Sequence, residues 1–249
     1  MNVKDKVIVI TGGAGGLGSV MGSHLYKEGA IVCLLDLDEN KGPEVAKGIA
    51  DDGRVSFYKI DLTSEEEWKN VIGAIMDKYG KIDVLVNNAG INIRKPVEEM
   101  SFEEWNTMMK VNTGSTFLGV KTVLPIMKEQ KGGAIINTSS VCGLIGHKYT
   151  PEAYTAAKGA VTMFTKAIAS RYGSFGVRCN SIHPSTVMTP LVEKMLQDPA
   201  RAAERLGEVP LGRLATADDV AEAVVYLASD EASFINGISM PIDGGVTCY

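Results

Sequence analysis

Tyr154 and Lys158 stand four residues apart in the small-residue stretch Tyr154-Thr155-Ala156-Ala157-Lys158-Gly159-Ala160. Helical spacing puts the phenol and the ammonium on one face. A phenol titrates near ~10 when unperturbed, so it moves protons at neutral pH only where a cation stabilises its phenolate. Lys158 is spaced to be that cation. A second group of residues suits a charged ligand. The apolar run Val7-Ile8-Val9-Ile10 passes into Thr11-Gly12-Gly13-Ala14-Gly15-Gly16-Leu17-Gly18, a turn fit for a dinucleotide pyrophosphate. Proton transfer beside a bound dinucleotide points to a nicotinamide oxidoreductase.

The glycine turn admits two registers, Gly13-x-Gly15-x-x-Gly18 and Gly12-x-x-x-Gly16-x-Gly18. Either pattern alone is common; its context is what gives it weight, since it follows a strand pattern and opens a helical one. Asp36 ends the next apolar run, 36 − 18 = 18 residues beyond the last glycine. A carboxylate there accepts hydrogen bonds from both hydroxyls of an adenosine ribose. A 2′-phosphate would meet it as a like charge, and neither the turn nor Leu37 supplies a compensating Lys or Arg, so NAD is expected over NADP.

The elements that must position these groups alternate along the chain. Strand patterns run from Lys6 to Thr11, Ile31 to Asp36, Val55 to Lys59, Asp83 to Asn87, Gly133 to Ser139 and Val177 to His183, with a last one in Ser239 to Tyr249. Helix patterns run from Gly16 to Glu28, Glu39 to Asp51, Ser64 to Tyr79, Phe102 to Met127 and Pro151 to Tyr172. Ser64 with Glu67 and Ser101 with Glu104 fit the S-x-x-E capping box. Repeated βαβ units of this kind predict an α/β fold: one Rossmann-type, doubly wound parallel sheet of about seven strands with helices on both faces. No linker divides residues 1–249, so one domain is expected, with a substrate flap from Ser185 to about Val209.

A chain of 249 residues with 45% hydrophobic residues can bury a large core. Its net charge of −5 and pI of 5.3 give no reason to expect nucleic acid or an anionic bilayer as partner. No stretch approaches the ~18 apolar residues of a membrane span, and the N-terminus, with Asp5 between Lys4 and Lys6, is unlike a signal peptide. Cys33, Cys142, Cys179 and Cys248 are far apart, which favours reduced thiols and a cytoplasmic protein. His24, His147 and His183 form no metal-binding pattern, so no metal is expected.

Five separated motifs in one order carry a resemblance to the short-chain dehydrogenase/reductase family over essentially the whole chain. They are Thr11 to Gly18, Asn87-Asn88-Ala89-Gly90 with Asn112, Ser139-Ser140, Tyr154-x-x-x-Lys158, and Pro184 through Thr189. The resemblance implies that Tyr154 is the general acid-base, that Lys158 lowers its pKa and holds the nicotinamide ribose, that Ser140 polarises the substrate oxygen, and that Asn112 supports a relay water. The family spacing to Gly143 selects Ser140 over Ser139. By the same resemblance the cofactor contacts are Gly12, Gly15, Gly16, Leu17, Gly18, Asp36, Leu37, Asp61, Leu62, Asn88, Ala89, Gly90, Tyr154, Lys158, Pro184, Val187 and Thr189. It also implies a homotetramer or dimer built through the helices from Phe102 and from Pro151. Two departures stand out: Pro184-Ser185 replaces the usual Pro-Gly, and the stretch from Ser140 to Tyr154 is one residue longer than is common in the family.

Substrate choice is expected from Ile91 to Lys95, Cys142 to Thr150 and Ser185 to Val209, which follow strand ends. Ser140, Tyr154, Leu144 and His147 are the expected substrate contacts, with Ile145, Val187, Met188 and Leu191 adding an apolar wall. The resemblance implies a secondary alcohol and ketone pair, bulky, alicyclic, aryl or steroid. Gly90-Ile91-Asn92-Ile93-Arg94-Lys95-Pro96 is instead similar to sugar-acid dehydrogenases of gluconate type, with Arg94 or Lys95 holding a carboxylate. A non-catalytic NAD-binding scaffold or redox sensor is the alternative of another class.

Overall fold

Val7–Thr11 (β1) is buried at every position, as a strand covered on both faces must be. Its side chains alternate: Ile8 and Ile10 pack into one core layer, Val7 and Val9 into the other. The computed structural model describes residues 1–249, apart from the side chains of Pro190, Leu191 and Met195. Beside β1 lie Ile31–Asp36 (β2), Val55–Lys59 (β3), Val84–Asn87 (β4), Gly133–Thr138 (β5), Val177–Pro184 (β6) and Ser239–Ile242 (β7). All pair in parallel in the order β3-β2-β1-β4-β5-β6-β7, the doubly wound topology the alternation predicts. The winding reverses between β1 and β4, where such sheets open a crevice at their carboxyl ends.

One face is covered by Gly16–Lys27 (α1), Lys41–Ile49 (α2) and Ala217–Ala228 (α9); the other by Glu65–Tyr79 (α3), Ser115–Gln130 (α5) and Glu152–Tyr172 (α6). Phe102–Met109 (α4) precedes α5. The two do not form the single helix expected from Phe102 to Met127, because a π-helical turn, Lys110–Gly114, interrupts them. Such an insertion displaces the ladder by one residue and turns a chosen side chain inward; here it is Asn112, which is fully buried.

The two capping boxes differ. Ser101 and Glu104 satisfy each other in full. Ser64 accepts from the Glu67 N–H, but the Glu67 carboxylate accepts the Asp61 N–H at 2.7 Å instead of closing its own box. The expected flap, residues 185–209, contains two short helices, Pro190–Met195 (α7) and Pro199–Gly207 (α8). No described helix is long and apolar enough to cross a membrane.

Candidate active site

The turn after β1 is built by contacts that only glycine allows. Gly12 has φ +67, in the left-handed region, and a Cβ on Gly18 would stand 2.2 Å from the Gly12 carbonyl oxygen. A Cβ on Gly13 would also stand 2.7 Å from the Leu34 Cβ, whereas one on Gly16 would meet nothing, so the turn draws its close contacts from both registers. Gly15 and Gly16 are exposed at the start of α1, with no acidic residue in its first turn and no side-chain cap on Gly15. That leaves free N–H groups and the positive end of the helix dipole facing outward, as a diphosphate requires.

Asp36 lies beside this turn, half-buried, with one carboxylate oxygen accepting from the Ala14 N–H at 3.0 Å and the other from the Asp38 N–H at 3.2 Å. Each oxygen keeps a lone pair for a ribose hydroxyl. Leu37 is exposed next to it. Across the crevice the Thr11 hydroxyl accepts from the Asn88 and Ala89 N–H groups at 2.9 and 3.1 Å, locking the Asn88-Ala89-Gly90 turn against β1. Asp61 is more committed: its carboxylate accepts from the Thr63 N–H and O–H, both at 2.8 Å, and the Leu62 carbonyl takes the Trp68 indole N–H.

α6 carries Tyr154 and Lys158 one turn apart, with the Lys158 Nζ 5.5 Å from the centre of the Tyr154 ring. Lys158 is buried and donates to the Thr138 carbonyl at 2.8 Å, at the end of β5. Burial pushes the Tyr154 phenol up to about 12, partly opposed by the Ser140 hydroxyl, and pulls the Lys158 ammonium down to about 8. In the protein alone, desolvation thus outweighs the expected stabilisation of phenolate by ammonium.

The π turn positions the neighbouring wall. The Asn112 side-chain amide donates to the Ile91 and Met108 carbonyls at 3.0 and 2.9 Å, and its oxygen accepts from the Ile91 N–H. A Cβ on Gly90 would lie 2.5 Å from that oxygen and 3.5 Å from the Lys158 Nζ, so glycine lets the strand end approach both. Thr113 ties the turn to α6 through the Ala157 carbonyl at 3.1 Å.

Ser139 and Ser140 separate cleanly. Ser139 faces inward, donating to the Lys158 carbonyl at 2.9 Å and meeting the Thr162 hydroxyl at 3.0 Å. Ser140 caps the 3-10 turn Val141–Gly143 and lines a cavity of about 290 Å³ together with Tyr154. The rest of the wall comes from all three expected loops, including Asn92, Arg94, His147, Tyr149 and Arg205, and from Val187 and Thr189. This wall is more polar than expected. Leu144 stands 37% exposed and does not line the cavity, and Met188 packs instead with Val192, Val209 and Leu214. The Leu191 side chain lies outside the described residues.

Ser185 has no left-handed backbone, so the glycine usual there is not needed for φ; its hydroxyl is buried without a partner among the described residues. Pro184 ends β6, Val187 forms an isolated bridge with Ala215, and Thr189 caps α7. Cys142, Thr150 and Arg205 lie within the expected substrate loops but were not singled out as contacts: all three line the cavity, Thr150 meets the His147 Nδ1 at 3.3 Å, and the Arg205 guanidinium lies 5.1 Å from the Tyr149 ring. A larger groove of about 730 Å³ lies at the opposite, amino-terminal ends of the strands, lined by Lys6, Asp83 and Arg178 among others, and holds none of Ser140, Tyr154 and Lys158. Among the described residues no three His, Cys, Asp or Glu side chains gather as a metal site.

Known proteins of similar sequence and fold place the chain in a family. The profile of a family described as enoyl-(acyl carrier protein) reductase matches residues 12–247. A cyclopentanol dehydrogenase of Comamonas testosteroni is 42% identical over 246 residues, covering 98% of each chain. A trans-4-hydroxycyclohexanecarboxylate dehydrogenase of Sinomonas cyclohexanicum is 39% identical, covering 98% of this chain and 94% of its own. The crystal structure of an NAD+-bound xylitol dehydrogenase superposes with a TM-score of 0.92 at 27% identity, over 98% of this chain and 100% of that one. The glycine turn, the Ser140, Tyr154 and Lys158 cluster and these likenesses together establish that the chain belongs to the short-chain dehydrogenase/reductase family and is an oxidoreductase of alcohols and ketones.

Proposed function

We propose that the protein is an NAD-dependent dehydrogenase of compact, single-ring secondary alcohols, interconverting alcohol and ketone. The observation that carries this reading is that Ser140 and Tyr154 face one cavity of about 290 Å³, with Lys158 buried behind them. That volume is at the small end of ligand pockets, roughly 300 to 1,000 Å³, and favours one ring over a steroid. Relatives named for cyclopentanol and for a hydroxycyclohexane acid support the same size class.

The residues present fit a dinucleotide. The open amino end of α1 and the Gly12 to Gly18 cradle hold the diphosphate, and the Asp36 carboxylate holds the ribose hydroxyls and repels a 2′-phosphate. Gly90 and the Asn88-Ala89 backbone border the adjoining ribose, and Val187 and Thr189 the carboxamide. When bound, the nicotinamide supplies the hydride acceptor.

The chain's own groups manage the proton. Ser140 donates a hydrogen bond to the substrate oxygen, Tyr154 accepts the hydroxyl proton, and Lys158 lends a positive charge that favours the phenolate. A desolvated ammonium at about 8 is poised to pass a proton onward near neutral pH. Asn112 holds the Ile91 loop and the π turn beside that ammonium, so a relay water has a fixed site to occupy.

The test is NADH formation with NAD or NADP against cyclopentanol, cyclohexanol, an aryl alcohol, a hydroxysteroid and gluconate. Turnover with NAD confined to ring alcohols is the expected result; NADP preference overturns the Asp36 role. No turnover by wild type points to a binding scaffold instead, and turnover undiminished in Tyr154→Phe overturns the role given to Tyr154. A sugar-acid substrate is the second reading, favoured by Arg94 on the cavity wall. Lys95 is the weaker candidate, because its ammonium pairs with Glu104. Assembly as a homotetramer or dimer in the cytoplasm belongs to the same proposal, supported by an apolar groove between α5 and α6 that includes Phe117, Leu124 and Phe164.

A further inference from the structure

We propose that His183 is a positioning residue for Ser140, holding the catalytic hydroxyl in place by extending the sheet one hydrogen bond beyond its backbone ladder. The last paired residues of β5 and β6 are Thr138 and Ile182, and the last rung is the Ser139 N–H to the Ile182 carbonyl at 2.9 Å. Ser140 lies one residue further, beyond the β5–β6 ladder, although β6 itself runs on to Pro184, which has no N–H to donate.

The His183 ring supplies that bond. Its Nδ1 is 2.8 Å from the Ser140 carbonyl oxygen, and its Nε2 is 2.8 Å from the Ser181 hydroxyl. A carbonyl only accepts, so Nδ1 carries the hydrogen, and in the neutral ring Nε2 accepts from Ser181. Ser181 and His183 are two residues apart on β6 and so share a sheet face, which lets the Ser181 hydroxyl reach the Nε2 of the tautomer that the Ser140 carbonyl fixes. His183 is fully buried, and burial holds its pKa below the usual imidazole value, with the Lys166 and Lys158 charges acting in the same direction.

The Ser140 carbonyl also accepts the Gly143 N–H at 2.8 Å, which closes the 3-10 turn. Both of its acceptor positions are therefore used, one by the turn and one by His183. With the peptide clamped on the far side and its Oγ accepting from the Cys142 N–H at 3.2 Å, the Ser140 side chain lines the cavity that Tyr154 shares. Without the ring the turn keeps its own bond but loses its anchor to β6.

This rests on the role proposed above for Ser140, and the experiment separates the two. His183→Ala should lower kcat about 10- to 100-fold, the cost of a misplaced catalytic group, while the KM for NAD stays unchanged. His183→Asn, whose amide nitrogen can take the place of Nδ1, should recover most of that loss. In a Ser140→Ala background, His183→Ala should add less than about twofold, since residues acting through one another are not additive. Where His183→Ala fails to fold, His183→Leu keeps the bulk without the donor and replaces it.

Equal losses in both backgrounds, or an Asn variant no better than Ala, would overturn the proposal. Ser140→Ala alone, if it leaves kcat intact, removes the Ser140 role beneath it, a failure visible before any His183 variant is made.

Discussion

The two halves of the crevice are built in different ways. On the nucleotide side the walls are backbone: a left-handed Gly12, a Gly18 pressed on its carbonyl, free amides at the start of α1, and an Asn88-Ala89-Gly90 turn pinned by Thr11. On the substrate side they are side chains on loops. His147 and Arg205 share the Glu208 carboxylate at 3.3 and 3.4 Å, and Arg205 lies over Tyr149. The first kind of wall tolerates almost no change of residue type, whereas the second can be rebuilt from other residues. A family can therefore keep its cofactor and change its substrate.

The largest expected effect lies at the junction of the halves. Tyr154→Phe removes the proton acceptor and should lower kcat/KM about 10²- to 10⁴-fold with little change in stability, read by steady-state rates and thermal unfolding. On the nucleotide side, Gly18→Ala drives a methyl into the Gly12 carbonyl and should cost roughly 1 to 3 kcal/mol of stability along with most NAD affinity. An unchanged dissociation constant for NAD would show that this wall is softer than its packing implies. Asp36→Ala should shift the NAD to NADP ratio of kcat/KM about 10- to 100-fold toward NADP, matching one or two charge-assisted hydrogen bonds lost.

The contrast also explains what could be read from the chain. The doubly wound parallel sheet and the glycine turn were legible because buried parallel strands demand continuous apolar runs and the turn demands glycine. Asp36 was legible because its distance from Gly18 follows from one βαβ unit. The π turn at Lys110–Gly114 was not, since Phe102 to Met127 has unbroken helical character and the insertion is imposed by Asn112 bonding to Ile91 and Met108. α9 escaped for a smaller reason: its box is closed by Thr216 and Asp219, not by Ser and Glu. Apolar Leu144 and Met188 were the natural candidates for a ring-binding wall. The loop geometry turned them aside and brought Arg94, Tyr149 and Arg205 in, a choice made by tertiary contacts no local pattern records.

The proton path yields a moderate and signed effect. Burial sets Lys158 near 8 and Tyr154 near 12 in the ligand-free chain. Alcohol oxidation needs the Tyr154–Lys158 pair to have lost one proton, and the first proton leaves the pair near 8, so acceptance begins to fail below that pH whichever of the two groups carries the remaining proton. Oxidation kcat/KM should therefore decline as pH falls below about 8, by about tenfold per unit, while ketone reduction should hold in the same range. A flat oxidation profile from pH 6 to 9 would separate Lys158 from the proton path.

The smallest effect tests the substrate wall. Glu208 follows α8, and its carboxylate joins His147 in the 144–150 loop to Arg205 in the flap. Both contacts are partly exposed, so each is worth little by itself, about 0 to 1 kcal/mol. Glu208→Gln keeps the shape and one acceptor but removes the charge that holds Arg205 and His147 together. The expected result is a rise of a few-fold in the KM for the alcohol, with kcat and the KM for NAD unaltered. A fall in kcat as large as that of a catalytic variant would mean that this wall positions the reacting atoms as tightly as the glycine cradle positions the nucleotide, and the distinction between the two halves would collapse. An unchanged KM would sharpen it instead, because the loops would then hold their shape through Tyr149 and Arg205 stacking alone, leaving the ion pairs free to vary as the substrate changes.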